Sequence, residues 1–93
     1  MAEVRLSRRA VKDIDALPDR TARRVLDALE QLGRDPTSDA LDVKALVGRR
    51  PWRRSRVGDH RIVFRPAAKG RVILVARVVD GKELERALRS LPD

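Results

Sequence analysis

Arg54, Arg56, Arg61 and Arg65 crowd one short stretch of the chain, and their chemistry stands out first. A guanidinium keeps its charge in proteins, so it cannot pass protons. It can grip a phosphate through paired N–H groups, stack on a base, or stabilise negative charge that develops in a transition state. The surrounding sequence is equally one-sided. Residues 49–79 hold ten Lys/Arg against Asp59 alone, whereas residues 1–48 balance nine basic with nine acidic groups and residues 80–93 carry three against four. The formal net charge of +8 therefore comes from one segment. Cations added for solubility need no such segregation, while a field of one sign on one element suits a polyanion such as nucleic acid.

Other chemistries find little support. The chain has no cysteine, which excludes disulfides, thiolate zinc sites and cysteine nucleophiles. His60 is the single histidine, and no serine sits in a nucleophile-elbow pattern, so a Ser/His/Asp triad is set aside. Asp13 with Asp15 and Asp27 with Glu30 read as polar helix faces, and Gly48 and Gly58 belong to no phosphate-binding glycine loop. No metal and no cofactor is expected. The opening MAEVRLSRR has no apolar signal region and no apolar run reaches membrane-spanning length, which points to a cytoplasmic protein without a membrane partner.

The elements that must hold the arginines follow from periodicity. Ninety-three residues suit a single domain, 1–93. Val4 and Leu6 alternate with Arg5 and Ser7 as a short strand, and Ser7 suits the N-cap of a helix carrying Ala10, Val11, Ile14 and Leu17. Pro18 interrupts that helix. A second begins near Asp19, with Ala22, Val25, Leu26, Leu29 and Leu32 as its stripe and Gly33 as its stop, so the two form a helical hairpin. Arg34 to Gly48 reads as irregular, anchored by Leu41, Val43 and Leu46. Arg53–Val57 and His60–Arg65 flank Gly58-Asp59 as a tight β-hairpin, and Val72–Val79 is a strand apolar on both faces. Asp80 with Glu83 then caps a closing helix bearing Leu84, Ala87, Leu88 and Leu91. The fold class is α+β in the order β-α-α-β-β-β-α, a small, mostly antiparallel twisted sheet with the helical hairpin on one face.

A two-residue connection sets Val57 opposite His60, Arg56 opposite Arg61 and Arg54 opposite Val63. One face then carries Val57, His60, Ile62 and Phe64, which suits a core and makes His60 a packed histidine. The other collects Arg54, Arg56, Arg61 and Arg65 around Val63. Only Asp59 is locally available to neutralise them, so this face is expected to stay open to an anionic partner. Trp52 can stack on a base or pack half-buried.

The run WRRSRVGDHRIVF, Trp52 to Phe64, resembles the hairpin of RelE/ParE-superfamily toxins, where an aromatic and basic strand leads into Gly-Asp-Tyr-Arg and then aliphatic residues. DVKALVGR, Asp42 to Arg49, is similar to the segment that precedes it, and the inferred element order is that of the superfamily. The resemblance implies a type II toxin held by a cognate antitoxin, small and acidic, from an adjacent gene, with operator DNA met only through the toxin–antitoxin complex. RelE-like members cleave mRNA in the ribosomal A site without a metal, and ParE-like members poison DNA gyrase. Taken with the RelE branch, the resemblance implies Arg61 at the scissile phosphate with Arg54 and Arg56 as further catalytic groups. Lys44, Arg49, Trp52, Arg53, Arg65 and Arg77 are then the RNA-binding candidates. The chain departs from the family in having no tyrosine, and in placing Asp80-Gly81 and Glu85 where members often carry a His-Arg or Lys-Arg pair and a Tyr. Those departures keep two alternatives in view, a gyrase inhibitor and a catalytically weak module that binds its antitoxin and operator DNA.

Overall fold

Ser7 ends the first strand and begins the first helix. In the computed structural model, which describes residues 1–91, β1 (Glu3–Leu6) passes through Ser7 into α1 (Arg8–Asp15). The Ser7 hydroxyl accepts from the Ala10 amide at 3.0 Å and donates to the Ala76 carbonyl at 2.7 Å. One side chain thus caps the helix and pins it to the sheet. Pro18 separates α1 from α2 (Asp19–Arg34). Gly33, expected as a stop, is instead buried inside α2, where a Cβ would stand 3.1 Å from both the Ala2 carbonyl and the Val4 side chain. The glycine serves the close approach of β1.

The segment expected to be irregular contains a short 3₁₀ turn, Asp39–Leu41, and a strand, β2 (Val43–Ala45). Three residues show no usable alternation, and β2 exists because β3 (Arg53–Val57) pairs with it. β3, β4 (His60–Ala67) and β5 (Val72–Asp80) form the antiparallel body of the sheet. β1 joins β5 in parallel, giving the order β1-β5-β4-β3-β2. The α+β, mostly antiparallel expectation holds, with one strand added to the expected order. A 3₁₀ turn, Gly81–Glu83, leads into α3 (Leu84–Leu88), and Asp80 accepts from the Lys82 amide at 2.9 Å. The last two positions of the expected 1–93 domain lie outside the described residues.

The helical hairpin buries Ala10, Ile14, Val25, Leu29 and Leu32 against Ile62, Phe64, Ile73, Val75 and Val78. A second, smaller core forms on the opposite face, where Leu84, Leu88 and Leu91 close over Trp52, Val63 and Ala76. This corrects the expected open arginine face: Val63, at its centre, is 0% exposed because α3 lies across it. No helix among the described residues is long and apolar enough to cross a membrane.

On β3 of the hairpin, Ser55 is the one buried polar residue among the described residues, 0% exposed, and its hydroxyl donates to the Leu41 carbonyl at 2.6 Å. Ser55→Ala should cost about 1–2 kcal/mol, because the buried carbonyl loses that donor. Urea denaturation checks this: the midpoint should fall while the slope stays constant. An unchanged midpoint would show that the bond contributes nothing.

Candidate nucleic-acid interface

Register across the sheet decides which cations share a surface. Lys44, Arg54, Val63 and Arg77 are aligned in one row across β2, β3, β4 and β5, and Arg56, Arg61 and Val79 in the next. Arg56 and Arg61 are direct cross-strand partners, an arrangement that is repulsive by itself. The hairpin turn relieves part of it. Arg61 Nη1 donates to the Gly58 carbonyl at 3.2 Å and the His60 carbonyl at 3.0 Å, and Arg56 Nε donates to the Gly58 carbonyl at 3.4 Å. Gly58, at φ 57°, supplies the left-handed backbone of the turn. The Gly81 amide donates to the Asp59 carbonyl at 2.7 Å, and a Cβ at position 81 would stand 3.2 Å from Arg61 Nη2. The hairpin tip is therefore tied to the start of the closing segment, with the Arg61 guanidinium lying against Gly81.

The remaining candidates separate. Arg54, with its side chain 16% exposed, donates to the Asp42 carbonyl at 2.8 Å and its carboxylate at 3.4 Å. Asp42, in a left-handed conformation just before β2, is thus the acid that meets the cluster, rather than Asp59. Trp52 is only 6% exposed and belongs to the second core, with the Arg65 guanidinium 5.8 Å from its ring centroid. Arg49 donates to the Leu88 carbonyl at 2.7 Å and so holds the C-terminal end of α3, where a cation suits the helix dipole. Arg53 pairs with Phe64, which turns it away from Arg54, and it lines a hollow of about 420 Å³ with Asp39 and Asp42. Arg77 departs furthest from its expected role: its guanidinium makes two bonds to Asp13 of α1, at 2.8 and 3.1 Å. Those hydrogen bonds raise its pKa above the ordinary arginine value.

Among the described residues, Lys44, Arg56, Arg61 and Arg65 have no carboxylate within ion-pair distance. His60 is half-buried rather than packed in the core, and it lines a cleft of about 660 Å³ between α1 and the end of β5 with Leu17, Asp13 and Asp80. That cleft gave no signal in the sequence, because it arises where β1 ends and leaves the second half of β5 to α1.

A five-stranded sheet with a helical hairpin on one face and a short closing helix on the other is the RelE-like α+β fold. The RelE–RelB complex from Pyrococcus horikoshii OT3 is 27% identical over 85% of this chain and 93% of that one, with a TM-score of 0.73. The toxin–antitoxin complex RelBE2 from Mycobacterium tuberculosis is 25% identical, covers 85% and 96%, and gives 0.70. The YoeB/ParE toxin from Agrobacterium tumefaciens, 17% identical over 84% and 96%, gives 0.74, a likeness of fold. No curated relative matches the sequence. The family model for the ParE toxin of type II toxin–antitoxin systems, parDE, matches residues 4–85. The chain belongs to this family of type II toxins.

Proposed function

We propose that this toxin arrests growth by cleaving mRNA on the ribosome, without a metal or cofactor, and that a small acidic antitoxin from an adjacent gene holds it inactive. The observation that carries the reading is the Arg56–Arg61 pair. Two guanidinium groups face each other on an accessible hairpin, with main-chain carbonyls but no carboxylate against them among the described residues. Such a pair is satisfied by an anion placed between its members. Two solved relatives at 25% identity or above are a RelE–RelB complex and the toxin–antitoxin complex RelBE2, which supports the RelE-type reading and the antitoxin partner. Operator DNA is then met only through that antitoxin, and the ribosome makes the cytoplasm the place of action.

In this reaction the ribose 2′-oxygen attacks the adjacent phosphorus and the bond to the 5′-oxygen breaks. A cyclic phosphate and a 5′-hydroxyl remain, and the proton lost from the 2′-oxygen is balanced by one gained at the 5′-oxygen. Arg61 and Arg56 hold the phosphate and stabilise its added charge, Arg54 fixes the strand beside them, and Lys44 and Arg65 extend the cationic track. The chain has no tyrosine, and its only histidine lines the cleft by α1. Positioning must therefore do much of the work, and good orientation supplies roughly 7–11 kcal/mol of such a barrier. Activity on translating ribosomes should exceed that on ribosome-free RNA by about 100-fold or more, since a misplacement near 1 Å already costs that much. Equal rates on both substrates would refute the ribosome as platform.

The match to the ParE model and the lack of a proton-transferring side chain in the cluster favour a second reading, inhibition of DNA gyrase. Mapping mRNA 5′ ends after induction separates the two. New ends within codons support cleavage, whereas intact mRNA with trapped gyrase–DNA complexes supports inhibition.

A further inference from the structure

Three arginines meet one glycine at the hairpin tip. Arg56 and Arg61 reach the Gly58 carbonyl from the two strands, at 3.4 and 3.2 Å. The third, Arg24, comes from α2, which packs on the opposite side of the sheet. A Cβ on Gly58 would stand 3.1 Å from Arg24 Nη1 and 3.5 Å from both its Cζ and its Nη2. Distances so even lay the guanidinium broadside against the glycine and leave its N–H edge uncovered by it. Among the described residues Arg24 makes no ion pair and no hydrogen bond. Asp27 shares with Arg24 and Arg56 a hollow of about 370 Å³ beside the hairpin, yet it forms an ion pair with neither. Three like charges around one turn repel each other until an anion enters among them.

We propose that Arg24 is a third phosphate-binding residue, which takes the phosphate next to the one held between Arg56 and Arg61. The RNA strand then continues from the sheet face over the hairpin tip to the α2 side. The assignment rests on the reading of the Arg56–Arg61 pair as an RNA site. Three observations select a phosphodiester strand. The guanidinium groups stand on both sides of the turn, which suits a ligand with a charge on every unit better than a single carboxylate. Packed by its face, Arg24 keeps its edge N–H groups for the paired contact that phosphate oxygens accept. Gly58 is exposed and has no side chain, so a strand can approach the backbone of the turn closely, and any Cβ there would press on Arg24. Contacts of this kind fix position and carry no base information. Arg24 therefore governs how firmly the strand is held, and leaves the place of cutting unchanged.

The test measures binding of one oligouridylate to the full chain across a series of salt concentrations. It compares the parent protein with Arg24→Ala, Arg24→Lys and Arg23→Ala, the last removing the same charge from the neighbouring exposed position of α2. In Arg24→Ala the slope of log K against log salt should become shallower by about 0.7, the share of one phosphate on a single strand, with affinity about fivefold lower. Arg23→Ala should keep the parent slope. Arg24→Lys should also keep it, while recovering only part of the affinity. A merely structural Arg24 would lower the thermal melt of Arg24→Ala and leave the slope alone. A parent slope in Arg24→Ala, or the same change in Arg23→Ala, would overturn the assignment. So would a glutamate peptide of equal charge that binds as tightly and loses as much in Arg24→Ala, since the site would then be one for an acidic protein. Arg61→Ala in the same titration separates this proposal from the reading beneath it. A slope lowered in Arg61→Ala alone removes Arg24 and keeps that reading. If both variants lower the slope while mapped mRNA stays intact in cells, cleavage fails and the Arg24 contact stands.

Discussion

Arg61→Ala is expected to fold normally and to lose growth arrest and mRNA cleavage together. The side chain leaves the hairpin surface without opening a core cavity, since what it bonds are the Gly58 and His60 carbonyls of the turn. Those carbonyls lie beside solvent at an exposed glycine and a half-buried histidine, so water replaces the lost donors. The effect on chemistry is of another size. Removing one preorganised donor from a developing phosphorane charge costs on the order of 2–4 kcal/mol of transition-state stabilisation, or about 30- to 1,000-fold in rate. Arg61→Lys keeps the charge but loses the planar fork, and should recover only part of the rate. The measurements are growth after induction, mapped mRNA ends, and a thermal melt of purified protein. Full toxicity in Arg61→Ala with an unchanged melt would remove Arg61 from the proposed role. A melt lowered by more than about 1 kcal/mol would instead assign it to stability.

The hairpin was legible because a two-residue turn leaves no freedom of register. Once Gly58-Asp59 is the connection, Arg56 must face Arg61 and Arg54 must face Val63, and the strands pair so. What lay out of reach depends on partners distant in sequence. Asp42 meets Arg54 only because β2 pairs with β3, and a three-residue strand has too few alternations to announce itself. Val63 reads as an apolar residue among arginines until α3 covers it, a contact between residues more than twenty positions apart. Gly33 follows the same rule. Its position near the helix end suggests a stop, while its actual neighbours are Ala2 and Val4. Periodicity reports which side of an element is apolar, and it is silent about which other element comes to lie there.

Asp13→Ala should be among the most destabilising single changes in the chain, although Asp13 reads in the sequence as one more charge on a helix surface. Where β1 ends, its last bonds to β5 are made at Ser7, and the second half of β5 has α1 rather than a strand for a neighbour. Asp13 fills that gap. Its carboxylate accepts from the Val78 amide at 2.9 Å and from both Nε and Nη2 of Arg77, so it substitutes for a missing strand and neutralises a cation at once. Both side chains are largely withdrawn from water, at 17% and 18% exposed. Truncating the acid leaves a poorly solvated guanidinium and an unpaired strand amide, which places the loss at the lower end of the range for broken buried pairs, about 3 kcal/mol. In a domain of this size that lowers the melting temperature by about 15 °C. Asp13→Asn keeps an acceptor for the Val78 amide and should lose about half as much. Arg77→Met in the Asp13→Ala background should restore part of the stability, because it removes the stranded charge, and the double-mutant cycle then isolates the pair. Additive losses in that cycle would show that Asp13 acts on the Val78 amide alone. A substantial loss of stability that Arg77→Met partly restores is therefore the expected signature, and it marks Arg77 as a structural cation.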